Sequence, residues 1–102
     1  MAKIAYSEKA RNELRDIAIY IAEESYSTDI ALNVVGRMRS RVKKRLEIFP
    51  YSGQVVETID GIDYHKIVVE CYGFIYKISL DKNDEEVVIV TDVIHEAREE
   101  SI

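Results

Sequence analysis

Pro50 is the only proline in 102 residues, and the spacing of apolar side chains changes across it. Before it, apolar residues recur every third or fourth position. Beyond it, they alternate or run together in short β-branched and aromatic stretches. Side chains return to one face of a helix after about 3.6 residues and to one face of a strand after every second residue. One kind of element cannot satisfy both periods, so the chain must be mainly helical before Pro50 and stranded after it.

The first half supplies its own punctuation. Lys3-Ile4-Ala5-Tyr6 reads as a short strand, and Ser7 then offers an oxygen to the free N–H groups of a helix, with Glu8 near its positive end. That helix is expected over Glu8 to Glu24, with Ala10, Leu14, Ile17, Ala18 and Ile21 on one face and Arg11, Arg15 and Glu23 elsewhere. Ser25 to Asp29 supplies turn and cap residues. A second stripe follows at Ala31, Val35, Met38, Val42, Leu46 and Phe49, and proline disfavours helix in the residue before it, so this helix ends ahead of Pro50. Two helices joined by so short a break form an antiparallel hairpin.

In the second half, Gln54 to Ile59 reads as a strand, and Asp60-Gly61 suits the positive backbone angles of a hairpin turn. Tyr64 to Glu70, Tyr72 to Leu80 and Val87 to Ile94 follow as further strands, the last two separated by the polar turn Asp81 to Asp84. Tyr72, Phe74, Tyr76, Ile78 and Leu80 alternate onto one face, the expected floor for the helices. The fold class is α+β: an N-terminal strand and an antiparallel helical hairpin packed on an antiparallel β-meander, condensed as β-α-α-β-β-β, in one domain over residues 1–102.

Composition narrows the function. With 47% hydrophobic and 32% charged residues the chain has a globular composition, not a disordered one. No apolar run approaches the roughly 20 residues of a membrane helix, so the expectation is a cytoplasmic protein without membrane contact. Cys71 stands alone, without Cys/His spacing for a metal, and no cofactor motif is present. The net charge of −5 conceals an asymmetry: residues 1–50 carry ten Lys/Arg against seven Asp/Glu, residues 51–102 four against twelve. A pI near 5.0 argues against nucleic acid as the main partner while leaving room for a local basic patch.

The motifs, in order, resemble RelE/ParE-type toxins of type II toxin–antitoxin systems. Ile4 to Ala10 with Glu13-Leu14-Arg15-Asp16-Ile17 and Tyr20-Ile21 is similar to the strand-to-helix opening of that superfamily. Leu46 to Gly53 resembles its leucine-x-x-x-proline-x-x-glycine junction, Tyr72 to Ile78 its central strand, and Val90 through His95 to Arg98 its closing strand. The resemblance implies a cognate antitoxin as partner and one of two activities. RelE-like members cut messenger RNA on the ribosome without metal, and ParE-like members poison DNA gyrase. A third reading is a toxin-like domain that only binds its antitoxin.

Candidate site residues follow from that choice. For a ribonuclease, His95 would exchange a proton and Arg98 would hold the scissile phosphate, with Lys66 and Lys77 as further cations from the outer face of the sheet. Gly73 stands where the central strand of the family often has arginine, Glu70 brings the opposite charge, and the chain ends without an aromatic for base stacking. These departures favour the ParE side and gyrase. For protein binding, Arg37, Arg41 and Arg45 stack at four-residue spacing on the second helix, where they meet an acidic surface or form a solvated face. His65 reads as a surface residue at a strand edge, Cys71 as a small buried one, and Tyr6, Tyr20, Tyr64, Tyr72 and Tyr76 as packing residues.

Overall fold

The computed structural model describes residues 1–96. Strand β1 (Lys3–Tyr6) leads into helices α1 (Glu8–Ser25) and α2 (Thr28–Ile48), followed by β2 (Gln54–Ile59), β3 (Ile62–Val69), β4 (Tyr72–Leu80) and β5 (Glu86–His95). All four strands read after Pro50 are present, so the condensed string β-α-α-β-β-β counts one fewer than the strands it stands for. The order across the sheet is β1-β5-β4-β3-β2. Strands β2 to β5 form an antiparallel meander, and β1 lies parallel to β5, pairing Lys3 with Val87 and Tyr6 with Val90.

Local chemistry sets these boundaries. Ser7 and Ser27 cap the two helices by accepting from the backbone N–H of Ala10 and Ile30. Between them, Tyr26 takes the left-handed conformation that closes α1, its N–H donating to the Ala22 carbonyl. Asp60 and Gly61 both have positive φ, as the hairpin turn requires.

Both helices pack on one face of the sheet. Ala10 and Leu14 from α1 and Met38, Val42 and Leu46 from α2 meet Phe74, Tyr76, Val88, Val90 and Val93, all buried. The ends of the predicted stripes fall outside this core: Phe49 lies past the last turn of α2 and Leu80 at the tip of β4, and both are mostly exposed. Between Ile75 and Tyr76 of β4 the pairing with β5 shifts, so that Ile75 faces Asp92 while Tyr76 faces Val90. Thr91 is the extra residue of a β-bulge, and each side chain after it is moved to the other face. The core therefore takes Val88 and Val90 before the bulge and Val93 after it.

Strand β5 outruns its neighbour β1, which pairs only with Val87 to Val90. Side chains of α1 serve the uncovered edge: the Ser7 hydroxyl donates to the Thr91 carbonyl, and Glu13 Oε1 accepts from the Val93 N–H at 2.9 Å. Lys9 pairs with Asp92 beside them.

Candidate functional site

The bulge decides where the candidate catalytic groups lie. His95 sits opposite Tyr72 on the helix-covered face, the two rings meeting edge to face at 5.0 Å. Its Nδ1 is buried without a hydrogen-bond partner. Lys66 pairs in register with Ile75, and Lys77 with Ile89, so both lysines point from the opposite, helix-free face. They share that face as the sequence suggested, but His95 does not join them. Arg98 lies outside the described residues.

Lys66 turns away from Lys77 towards the end of β5, where its ammonium meets Glu96 Oε1 at 2.8 Å. This pair lies across Gly73: a Cβ there would stand 3.0 Å from both Glu96 Oε2 and Lys66 Cδ. Gly73 therefore leaves room for a neutralised pair where the family resemblance led one to look for a cation. Lys77 is half-buried, with no ion pair or hydrogen bond from its ammonium among the described residues.

The exposed arginines of the α2 stripe each meet a group of this same chain. Arg37 grips Glu70 with two parallel bonds, Nε to Oε2 at 3.0 Å and Nη2 to Oε1 at 2.9 Å, and Arg41 stands 4.0 Å from the same carboxylate. Glu70 occupies a left-handed position in the β3–β4 turn, and Arg37, chiefly through its hydrogen bond, holds that carboxyl below its ordinary pKa. Arg45 ties the chain after α2, donating from Nε to the Ser52 hydroxyl and from Nη2 to the Ser52 carbonyl. Arg39 stacks 4.9 Å over the Tyr6 ring, whose hydroxyl is pushed up in pKa, mainly by burial. Lys43 and Lys44 are exposed.

Three residues stand differently from their sequence reading. His65 is buried, not a surface residue: its Nδ1 donates to the Gly53 carbonyl at 3.1 Å and its ring stacks on Tyr76 at 5.2 Å. It anchors the junction after α2 to the sheet. Cys71, in the two-residue turn between β3 and β4, is exposed rather than buried. Tyr20 is half exposed on α1, so it is not a core residue.

Sequence reasoning missed Glu13, Glu70 and Glu96. Each takes its role from a partner 30 or more positions away that local pattern does not reveal. Among the described residues no three His, Cys, Asp or Glu side chains converge as metal ligands.

No curated protein matches this sequence. Among solved structures, the chromosomal ParDE toxin–antitoxin system from P. aeruginosa contains a chain of similar fold, with a TM-score of 0.68 at 12% identity, covering 93% of this chain and 96% of that one. Residues 4–100 match the family described as ParE toxin of the type II toxin–antitoxin system parDE, from the opening strand through the closing one. With that match and the strand-hairpin-meander architecture, this chain belongs to the ParE toxin family of type II toxin–antitoxin systems.

Proposed function

We propose that this toxin acts by binding DNA gyrase and is neutralised by a cognate antitoxin, without cutting RNA itself. The observation that carries the reading is the division of the candidate catalytic groups between the two faces of the sheet. A metal-free ribonuclease needs a proton-transferring group and several cations converging on one phosphate. Here His95 is packed against Tyr72 beneath the helices, Lys66 is neutralised by Glu96 on the other side, and Arg37 and Arg41 are turned to Glu70. What the molecule offers is surface, and a protein target suits surface better than a phosphodiester does.

Two measurements on the same induced culture test this. Gyrase-dependent DNA breaks should accumulate, and purified gyrase should lose supercoiling activity when the protein is added. Primer extension on messenger RNA should show no new 5′ ends. Codon-dependent cuts that vanish in Arg98→Ala, with supercoiling intact, would promote the ribosomal ribonuclease reading instead. If neither effect appears while antitoxin binding persists, the toxin-like domain without toxicity is the reading to keep. The antitoxin itself is tested by mass action: a protein that binds only the folded state at a hundred times its Kd adds about 2.7 kcal/mol of stability. The small protein encoded beside this one should raise its melting temperature by several degrees at micromolar concentration.

A further inference from the structure

Residues 18–35, the end of the helical hairpin at its turn, give no buried side chain to the core on the sheet. What this end carries instead is exposed apolar surface: Ile19 and Tyr20 of α1, Tyr26 in the turn, and Ile30 and Leu32 of α2. By helical spacing Ile19 and Tyr20 share one face of α1 with Asp16 and Glu23, and Leu32 stands one turn after Asp29 on α2. Some side chains here work against the fold. Glu23 and Glu24 lie in the last turn of α1, which holds no basic residue, so their charges meet the negative end of the helix. Tyr26 has φ 55°, a left-handed conformation that glycine adopts at far less cost, and it is 96% exposed, so no packing offsets the strain. Side chains that cost stability and bury nothing are expected where a partner binds. The charge of this end is of one sign. From residue 16 to residue 36 the chain holds Asp16, Glu23, Glu24 and Asp29 and no lysine or arginine. The nearest cations along the chain are Arg15, one turn before Ile19, and Arg37, which is held by Glu70. None of the four carboxylates forms an ion pair among the described residues.

We propose that the tip of the helical hairpin is the surface with which this toxin grips its protein target, and that the target meets it with apolar dents rimmed by lysine and arginine. The inference rests on the reading that the toxin acts by binding a protein, gyrase in the section above. Charge selects the occupant. A second copy of this chain would set the same acidic side chains against each other, and nucleic acid and anionic membranes carry the same sign as the tip. A protein that holds DNA has the complementary chemistry, because it meets phosphates with lysine and arginine. Tyr20, Tyr26 and Leu32 then fill the apolar dents between those cations, tyrosine being the kind of side chain that anchors interfaces. Carboxylates around such an anchor steer the approach and fix the orientation of the two surfaces.

The test uses changes that favour the fold and should disfavour binding. Glu23→Lys combined with Glu24→Lys suits the helix end, and Tyr26→Gly suits the left-handed turn, so both variants should melt at or above the wild-type temperature. Both should nevertheless bind purified gyrase at least about tenfold more weakly than wild type when the whole protein is titrated by calorimetry. Melting temperatures lowered in both variants would show that these side chains serve the fold, and would overturn the proposal. If wild type binds gyrase and both variants bind it as tightly, gyrase is the target and the surface is wrong. If wild type does not bind gyrase, that reading fails and a probe that needs no target decides the surface. The probe is a synthetic amphipathic helix of about five turns, with leucines at three- and four-residue spacing flanked by lysines, beside a twin in which glutamates replace the lysines. Wild type should prefer the lysine peptide by at least about tenfold, and the Glu23→Lys, Glu24→Lys variant should lose that preference. No binding, equal affinities in wild type, or a preference unchanged in the variant would sink the surface as well.

Discussion

Gly53 has no room for a side chain. A Cβ at this position would stand 2.5 Å from the Tyr76 hydroxyl and 3.0 Å from the Lys66 backbone carbonyl, and the second of these cannot swing away. The crowding exists because Gly53 is clamped at both ends, its N–H donating to the Tyr76 hydroxyl at 2.9 Å and its carbonyl accepting from His65. Gly53→Ala should therefore destabilise the protein by about 1–3 kcal/mol, as overpacking of a filled interior does. In a Tyr76→Phe background, where the hydroxyl is gone, the same substitution should cost less, and the urea midpoints of the four proteins measure the coupling. Equal costs in the two backgrounds would mean that the Lys66 carbonyl alone sets the limit. The leucine-x-x-x-proline-x-x-glycine spacing was legible in the sequence. The reason for its glycine was not, since it depends on a tyrosine 23 positions away.

Helix and strand boundaries were legible because each stripe ends at a residue with its own chemistry: a capping serine, the single proline, an Asp-Gly turn. The bulge at Thr91 was not. One extra residue leaves composition unchanged, yet it turns the rest of β5 over. Continued without it, the alternation that buries Val88 and Val90 would have put His95 on the face of Lys66 and Lys77. That single register step separates the sequence view of a possible cationic site from the arrangement observed. Just past the bulge the Val93 N–H is held by Glu13, an α1 side chain standing in for the missing neighbour strand. Glu13→Ala should leave this N–H unpaired beside a buried side chain and lower stability by about 1–3 kcal/mol, whereas Glu13→Gln keeps an acceptor oxygen and should recover most of it. Thermal melts of the three proteins would separate these outcomes by several degrees, and an unchanged Glu13→Ala would show that water serves the N–H as well.

A second tie between the layers titrates. Arg37 lowers the Glu70 pKa in the folded protein from the ordinary 4.5. A carboxyl with a depressed folded pKa adds stability that is fully present above its unfolded value and is lost as pH falls through the folded one. Glu70→Gln should accordingly be less stable at neutral pH, and its stability should fall less than that of wild type as the solution is taken from about pH 5 to pH 3. Parallel acid-unfolding curves for the two proteins would remove Glu70 from the account.

At the scale of the molecule, the fold was readable because its largest signals agree: a period change at one proline, two capped stripes and a run of alternating strands. The position of β1 was not readable, because nothing in four residues says which edge they join. They join the far side of the last strand, Tyr6 against Val90, across more than eighty residues of intervening chain. Contacts at such separation must close a long loop before they contribute, and they form late. Synthesis proceeds at about 5–20 residues per second, so during translation the N-terminal strand and the helical hairpin wait several seconds for β5, the strand that supplies Val88, Val90 and Val93 to the core. A nascent chain that has not reached residue 95 has no complete strand to join β1 to β4. Topology thus sets an interval in which a chain under synthesis already holds its helical hairpin but not the strand on which that hairpin packs.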